Sequence, residues 1–177
     1  INLSVHQLRQ DDLVQRIERA LRRHKVEASL MTFEVTESVA MDDASGTLEM
    51  FRRLGEIGVK LSIDDFGTGY SSLAYLRKLR VSQLKIDQSF VRDLETSADA
   101  RAIVKAVIGL AHALNLSVVA EGVETVAQRN VLTKLHCDEL QGYLYARPMS
   151  AELMGRWALN IDPPTELKFG NSTFVDV

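Results

Sequence analysis

The chain has 177 residues, 46% of them hydrophobic and 25% charged, and 21 basic against 24 acidic side chains leave a formal net charge of −3. At roughly 100–200 residues per domain, this is one globular unit with enough chain to bury a core, which excludes a small scaffold stapled by disulfides or a structural metal. A slightly acidic balance argues against broad binding to DNA or to an anionic membrane, so a phosphate ligand needs a local site.

The chain opens on Ile1-Asn2-Leu3-Ser4, with neither an initiator Met nor a basic segment followed by an apolar signal core. A start inside a strand-like run points to a chain cut from something longer. In chain order, short apolar runs at 1–4, 30–36, 59–64, 83–87, 117–121 and 138–142 read as six strands, too short for free-standing helices and several of them β-branched. Between them, apolar residues fall at helical spacing: Leu13, Ile17, Ala20 and Leu21, then Leu48, Phe51, Leu54 and Ile57. Two further helices are expected at about 98–114, with Ile103, Val107, Leu110, Ala111 and Leu114 on one face, and at about 124–135, with a shorter one starting near Ser71. Gly58 and Asn115 follow two of these helices, where a left-handed C-terminal residue belongs. Strands alternating with helices imply βαβ units and a parallel sheet. Residues 160–177 contain Pro163-Pro164 and no clear period, so they read as a tail or linker after a domain spanning 1–159.

No run approaches the about 20 apolar residues of a membrane-spanning helix. Cys137 is the only cysteine, which rules out an intrachain disulfide and fits a reducing cytoplasm. It reads as a small buried hydrophobe. His6, His24, His112 and His136 are scattered without ligand spacing, and the basic run Arg16, Arg19, Arg22, Arg23 and Lys25 reads as a solvated helix face. Asn171-Ser172-Thr173 matches a glycosylation sequon by chance in a chain without a secretion signal.

The informative feature is a repeated placement of charge. Five strand-like runs end in polar groups: Glu34, Asp64 with Asp65, Lys85 with Asp87, Glu121, and Gln141. In parallel α/β folds the strand C-termini form the face where ligands bind, so these groups should converge. Each taken alone has a plainer reading, since Asp65, Asp87 or Glu124 would serve as a helix N-cap. Carboxylates gathered from several strands are unfavourable unless cations neutralise them, and an oxygen-rich set suits Mg²⁺ or Mn²⁺ better than zinc. Asp64-Asp65-Phe66-Gly67-Thr68-Gly69-Tyr70-Ser71-Ser72 joins a strand to a helix through two glycines, a loop able to hold an anion or simply to turn.

Five ordered strings carry a resemblance: Phe33-Glu34-Val35-Thr36-Glu37-Ser38, the Asp64-to-Leu73 loop, Leu84-Lys85-Ile86-Asp87, Val119-Ala120-Glu121-Gly122-Val123-Glu124-Thr125 and Gln141-Gly142-Tyr143. From Asn2 to about Pro148 the chain resembles the EAL-domain phosphodiesterases, bacterial enzymes that hydrolyse cyclic di-GMP. The resemblance implies a TIM-type (β/α)₈ barrel, a two-metal site at the strand C-termini holding Mg²⁺ or Mn²⁺, and cleavage to linear pGpG. By the same resemblance, Asn2, Glu34, Asp64 and Glu121 match metal ligands and Asp65 matches the ligand of the second metal. Lys85 matches the lysine that holds or activates the water, and Gln141 a group that positions water or substrate. Glu37 matches the acid that steadies the loop with Phe66, Gly67, Thr68, Gly69, Tyr70 and Ser71. Glu124 matches a supporting acid, and Asp87 is expected with it among the substrate contacts. A homodimer formed near that loop and an N-terminal sensory or GGDEF domain are implied as partners.

The Glu-x-Leu signature that names the family is not in this chain. With six strands against the eight of a barrel, the first two strands are expected upstream of Ile1, and the 177-residue chain by itself is expected to be inactive. The alternatives are a truncated or degenerate module that binds cyclic di-GMP or a protein partner without catalysis, another metal-dependent barrel phosphoesterase, and a pure scaffold.

Overall fold

The structure, a computed structural model, describes residues 1–41, 46–69 and 73–159. Its centre is a parallel sheet of five strands in sequence order: β1 (Thr32–Thr36), β2 (Lys60–Phe66), β3 (Gln83–Ile86), β4 (Ser117–Ala120) and β5 (Glu139–Leu140). Each strand is followed by helix before the next begins: α3 (Glu37–Ala40) and α4 (Thr47–Glu56), α5 (Leu73–Leu76), α6 (Gln88–Arg92) and α7 (Ala98–Ala113), α8 (Val126–Lys134), and finally α9 (Ala151–Ala158). Two helices, α1 (Val5–Leu8) and α2 (Leu13–His24), and a 3₁₀ turn at Ala28–Leu30 precede β1. This is the repeating unit of a (β/α) barrel, laid out as an arc.

Five strands stand where six were expected. The run at 1–4 lies alongside β1 but joins it through one parallel bridge, Asn2 to Glu34, with the Leu3 amide on the Glu34 carbonyl at 2.8 Å and the Glu34 amide on the Ile1 carbonyl at 2.9 Å. Ser4 stops it from extending, because its side chain accepts from the Gln7 amide and starts α1 in a capping box. The expected strand at 30–36 begins later, since residues 28–30 close the 3₁₀ turn first.

Within the sheet the side chains separate by parity, with the buried Val119 of β4 as an apolar exception on the inner face. Phe33, Val35, Leu61, Ile63, Leu84, Ile86, Val118 and Ala120 face the helices and are buried. Each large one stabilises the fold by about 1.5–3 kcal/mol through apolar area removed from water. The opposite parity carries Thr32 and Glu34, Lys60, Ser62 and Asp64, Gln83 and Lys85, and Ser117 and Glu121, which places polar groups on the inner face of the arc.

Helix α7 shows where periodicity misleads. Its buried face is Ala100, Val104, Ile108 and Ala111, and Ile103, expected inward, is 42% exposed. The helix is apolar on most sides, so hydrophobicity alone leaves its rotation about its axis undefined. Ser97 caps it by accepting from the Ala100 amide. Gly58 and Asn115 take positive φ of 88° and 58° as expected, and Lys25 and His136 do the same after α2 and α8.

Asp138, expected as the first residue of a strand, instead works as a clamp. Its Oδ2 accepts from the Val118 amide at 2.8 Å and meets His112 Nε2 at 2.9 Å, tying α7, β4 and the start of β5 together. Burial pushes this carboxyl up, but the His112 and Val118 hydrogen bonds outweigh it and hold the group below the usual aspartate range. A depressed folded-state value means stabilisation that is present above the unfolded value of about 3.9 and is lost as pH falls through the folded one. Asp138→Ala is expected to cost about 1–2 kcal/mol in urea denaturation at pH 7, and the gap to the parent should close in melts run progressively below pH 4.

Cys137, half-buried, directs its thiol at the Val118 and Glu139 carbonyls at 3.5 and 3.4 Å, and burial pushes its pKa up to about 11. That is the inert thiol expected from the sequence. No helix among the described residues is long and apolar enough to cross a membrane. The tail at 160–177, the sequon within it, and Tyr70, Ser71 and Ser72 lie outside the described residues.

Candidate metal centre

Four strands deliver one side chain each to a single point. Lys85 of β3 is 4% exposed, and its Nζ lies 3.1 Å from Glu34 Oε1 of β1, 3.1 Å from Asp64 Oδ1 of β2 and 2.6 Å from Glu121 Oε1 immediately after β4. An ammonium has three donors, and these three carboxylates take all of them. The convergence expected of the polar strand ends is therefore met for these four residues. Burial disfavours the Lys85 charge, but hydrogen bonds to Glu121, Asp64 and Glu34 more than compensate and raise its pKa, so it stands as a fixed cation. Burial raises Glu121 in turn, despite its contact with Lys85.

Asp64 and Asp65 are adjacent on β2, and a regular strand would send them to opposite faces. The β2–β3 register shifts between Ile63 and Phe66, and Asp65 takes φ of 54°, a local bulge that turns the second aspartate back toward the first. Carboxylate oxygens of Asp64, Asp65 and Glu121 consequently all lie within 4.8 Å of one another. Burial first, then the neighbouring Asp64 and Asp87 charges, raise Asp65 above the usual aspartate range.

The donor set fits a hard divalent cation. It is all oxygen, it is half-buried, and four carboxylates against one ammonium leave three uncompensated negative charges. Among the described residues, no histidine or cysteine joins the group. Asn2 sits beside it through its bridge to Glu34. Gln141, at the end of β5, lines the same cavity as Glu34 and Lys85. Its position is fixed by backbone: the Val123 amide donates to the Gln141 carbonyl at 3.0 Å, and a Cβ on Gly142 would fall 2.2 Å from the Val123 oxygen, which only glycine avoids.

Glu37, the first residue of α3 and 2% exposed, holds the loop after β2. Its Oε2 accepts from the Gly67 amide at 2.8 Å and the Gly69 amide at 3.3 Å. Gly67 takes φ of 100°, which strains any L side chain, and a Cβ there would approach the Phe90 ring to 3.0 Å. Thr68 Oγ1 closes the turn by donating to the Asp65 carbonyl at 2.8 Å, which links the loop to the aspartates. Glu37→Ala removes the acceptor for both amides, and turnover is expected to fall about ten- to a hundredfold with a lowered melting temperature, since two amides lose their partner; Glu37→Gln, which keeps an oxygen there, should retain more of both.

Asp87, whose charge reaches Asp65, and Glu124 line a cleft of about 260 Å³ together with Gly122 and Arg92. Asp87 also caps α6, accepting from the Ser89 amide at 2.9 Å, so the plainer reading of that residue is realised. Glu124 is not the cap of α8; Thr125 is, in a capping box with Gln128, whose side chain accepts from the Glu124 and Thr125 amides.

Carboxylates and one lysine presented at the C-terminal ends of parallel strands, with helices packed outside, are the arrangement of a TIM-type barrel, with a donor set that suits hard cations. The sequence model of the EAL domain matches residues 1–148, and the chain belongs to that family. It is 51% identical over 152 residues to the bifunctional diguanylate cyclase/cyclic di-GMP phosphodiesterase MucR of Pseudomonas aeruginosa, a match covering 86% of this chain and 22% of that protein. The MucR phosphodiesterase in complex with c-di-GMP superposes with a TM-score of 0.83 at 51% identity, covering 86% of this chain and 62% of that one. Klebsiella pneumoniae BlrP1, solved with manganese and cyclic di-GMP, superposes with a TM-score of 0.78 at 34% identity, covering 84% and 38%. The chain thus spans about a fifth of the length of the curated relatives it matches.

Proposed function

We propose that this chain carries the hydrolytic centre of a cyclic di-GMP phosphodiesterase, opening one of the two phosphodiester bonds to give linear pGpG. The observation that carries the reading is the grouping of Asp64, Asp65 and Glu121 against Lys85, in a family whose relatives bear that activity in their names. Asn2, Glu34, Asp64 and Glu121 would hold one Mg²⁺ or Mn²⁺ and Asp65 a second. When bound, such a pair acidifies a shared water and balances charge on the attacking and leaving oxygens.

The chain's own groups do the rest. Lys85 keeps a positive charge beside the reacting phosphate without exchanging its proton. Gln141 orients water or a phosphate oxygen from the neighbouring strand end. Glu37 fixes the turn at Gly67, Thr68 and Gly69 that directly follows Asp64, Asp65 and Phe66 of β2. Asp87 and Glu124 face the part of the dinucleotide that extends beyond the centre. The same reading carries a cytoplasmic location, a homodimer and an N-terminal sensory or GGDEF domain. Light scattering on the full-length protein tests the dimer.

The reading is tested by supplying the full-length protein with Mg²⁺ or Mn²⁺ and either cyclic di-GMP or cyclic di-AMP. Linear pGpG from the first and slow or no product from the second is expected. Equal turnover of both would overturn the guanine assignment, and no turnover of either would overturn hydrolysis.

A further inference from the structure

Helix α8 opens with Thr125 at its N-cap and Gln128 three residues on, a capping box in which glutamate would serve the backbone as well. The box uses only half of the glutamine. Its Oε1 accepts from the Glu124 amide at 2.8 Å and from the Thr125 amide at 3.0 Å, which fixes the side-chain amide in one orientation. Nε2 then carries two N–H donors that a glutamate lacks, and no group among the described residues accepts from them. Gln128 is 5% exposed, yet its Nε2 is not sealed in, since among the described residues Ser62 Oγ is the side-chain polar atom that is both enclosed and unpartnered. The side chain lines the cleft of about 260 Å³ that Asp87 and Glu124 also line. A nearly buried donor that opens on a cleft lacks an acceptor that a ligand can bring.

The charges of the cleft say what fits it. Asp87 and Glu124 outnumber Arg92, which disfavours a phosphate and suits a neutral group with hydrogens to give. Asp87 Oδ1 is taken up by the Ser89 amide, whereas the Glu124 carboxylate, on an exposed residue, has no partner among the described residues. The cleft is smaller than the pockets that enclose a drug-sized ligand, so it has room for one base rather than a whole cyclic dinucleotide. It also abuts the metal centre, because Asp87 follows Lys85 by two residues and Glu124 follows Glu121 by three.

We propose that Gln128 is a specificity-determining residue: its Nε2 donates to O6 of one guanine while the Glu124 carboxylate accepts from N1–H and the 2-amino group of the same base. The proposal rests on the cyclic di-GMP reading above. Guanine carries an acceptor at O6 beside donors at N1 and N2, and adenine carries an amino donor at position 6 and no hydrogen on N1. An amide donor beside a carboxylate therefore matches guanine and meets adenine donor to donor.

Gln128→Glu separates the donor from the cap. In the full-length protein its melting temperature should match the parent's, since the carboxylate still accepts from both backbone amides. Affinity for cyclic di-GMP and cyclic di-AMP is measured by calorimetric titration in chelator, and kcat/KM for each in Mg²⁺. The variant is expected to lose about tenfold or more toward cyclic di-GMP and less toward cyclic di-AMP, so that the preference for guanine narrows. An equal loss for both ligands, or no loss for either, overturns the proposal. A co-crystal of the parent with cyclic di-GMP decides the matter should the variant fail to fold: guanine O6 is expected about 2.9 Å from Gln128 Nε2, and a water there or a base bound elsewhere overturns it. A parent that binds cyclic di-GMP without hydrolysing it overturns the hydrolytic reading and leaves this proposal to the titration. One that neither binds nor hydrolyses it overturns both.

Discussion

Asp64→Asn in the full-length protein is expected to reduce hydrolysis of cyclic di-GMP by about a thousandfold or more, with the fold intact. Asp64 is the residue on which two roles meet. Its carboxylate belongs to the triplet with Asp65 and Glu121, and its Oδ1 takes one of the three Lys85 hydrogen bonds. Asparagine preserves the shape and one oxygen but removes the charge, so the set can no longer balance two divalent cations. Without metal, the variant should be no less stable than the parent, because three uncompensated negative charges become two. Thermal melts separate the roles. The parent should gain melting temperature on adding Mg²⁺ or Mn²⁺ by mass action, and the variant should gain little. Loss of activity with an undiminished metal shift would show that the cation sits elsewhere.

Lys85→Met should be the most destabilising change in the site. The ammonium is 5% exposed, and the Glu34, Asp64 and Glu121 side chains around it are 23%, 15% and 19% exposed. Removing one partner of a buried charge cluster leaves the others facing each other without compensation, at a cost of about 3–5 kcal/mol. Urea denaturation in chelator at pH 7 measures it. The deficit should shrink as pH is lowered, since protonating carboxylates that burial already raises, Glu121 and Asp65 among them, relieves the repulsion. Divalent cations should recover part of the stability but not the turnover. A variant as stable as the parent in chelator would mean the three carboxylates do not depend on this lysine for compensation.

Much of this site was legible in the sequence because the polar strand ends break the apolar rule for a buried parallel strand. Glu34, Asp64, Lys85 and Glu121 stood out for that reason, and the strand register brings all four to one point. The remainder depended on local geometry that side-chain patterns do not encode. Nothing in Asp64-Asp65 announces the bulge that puts both carboxylates on one side, although Gly67 two residues on signals an irregular exit from the strand. The clamp of Asp138 on Val118 and His112 joins residues far apart in sequence. The rotation of α7 was hidden by its even apolarity. Segment 1–4 has strand composition, but Ser4 turns it into a helix before a second bridge can form.

The most direct test is product analysis by chromatography and mass spectrometry on the full-length protein, first stripped of metal with a chelator and then given back Mg²⁺ or Mn²⁺, with cyclic di-GMP as substrate. Linear pGpG should be absent from the stripped sample and restored by either cation, and Asp64→Asn should stay silent throughout. Formation of pGpG at the same rate before and after stripping, or no product under any metal, would contradict a cation-dependent hydrolytic centre built on Asp64, Asp65, Glu121 and Lys85.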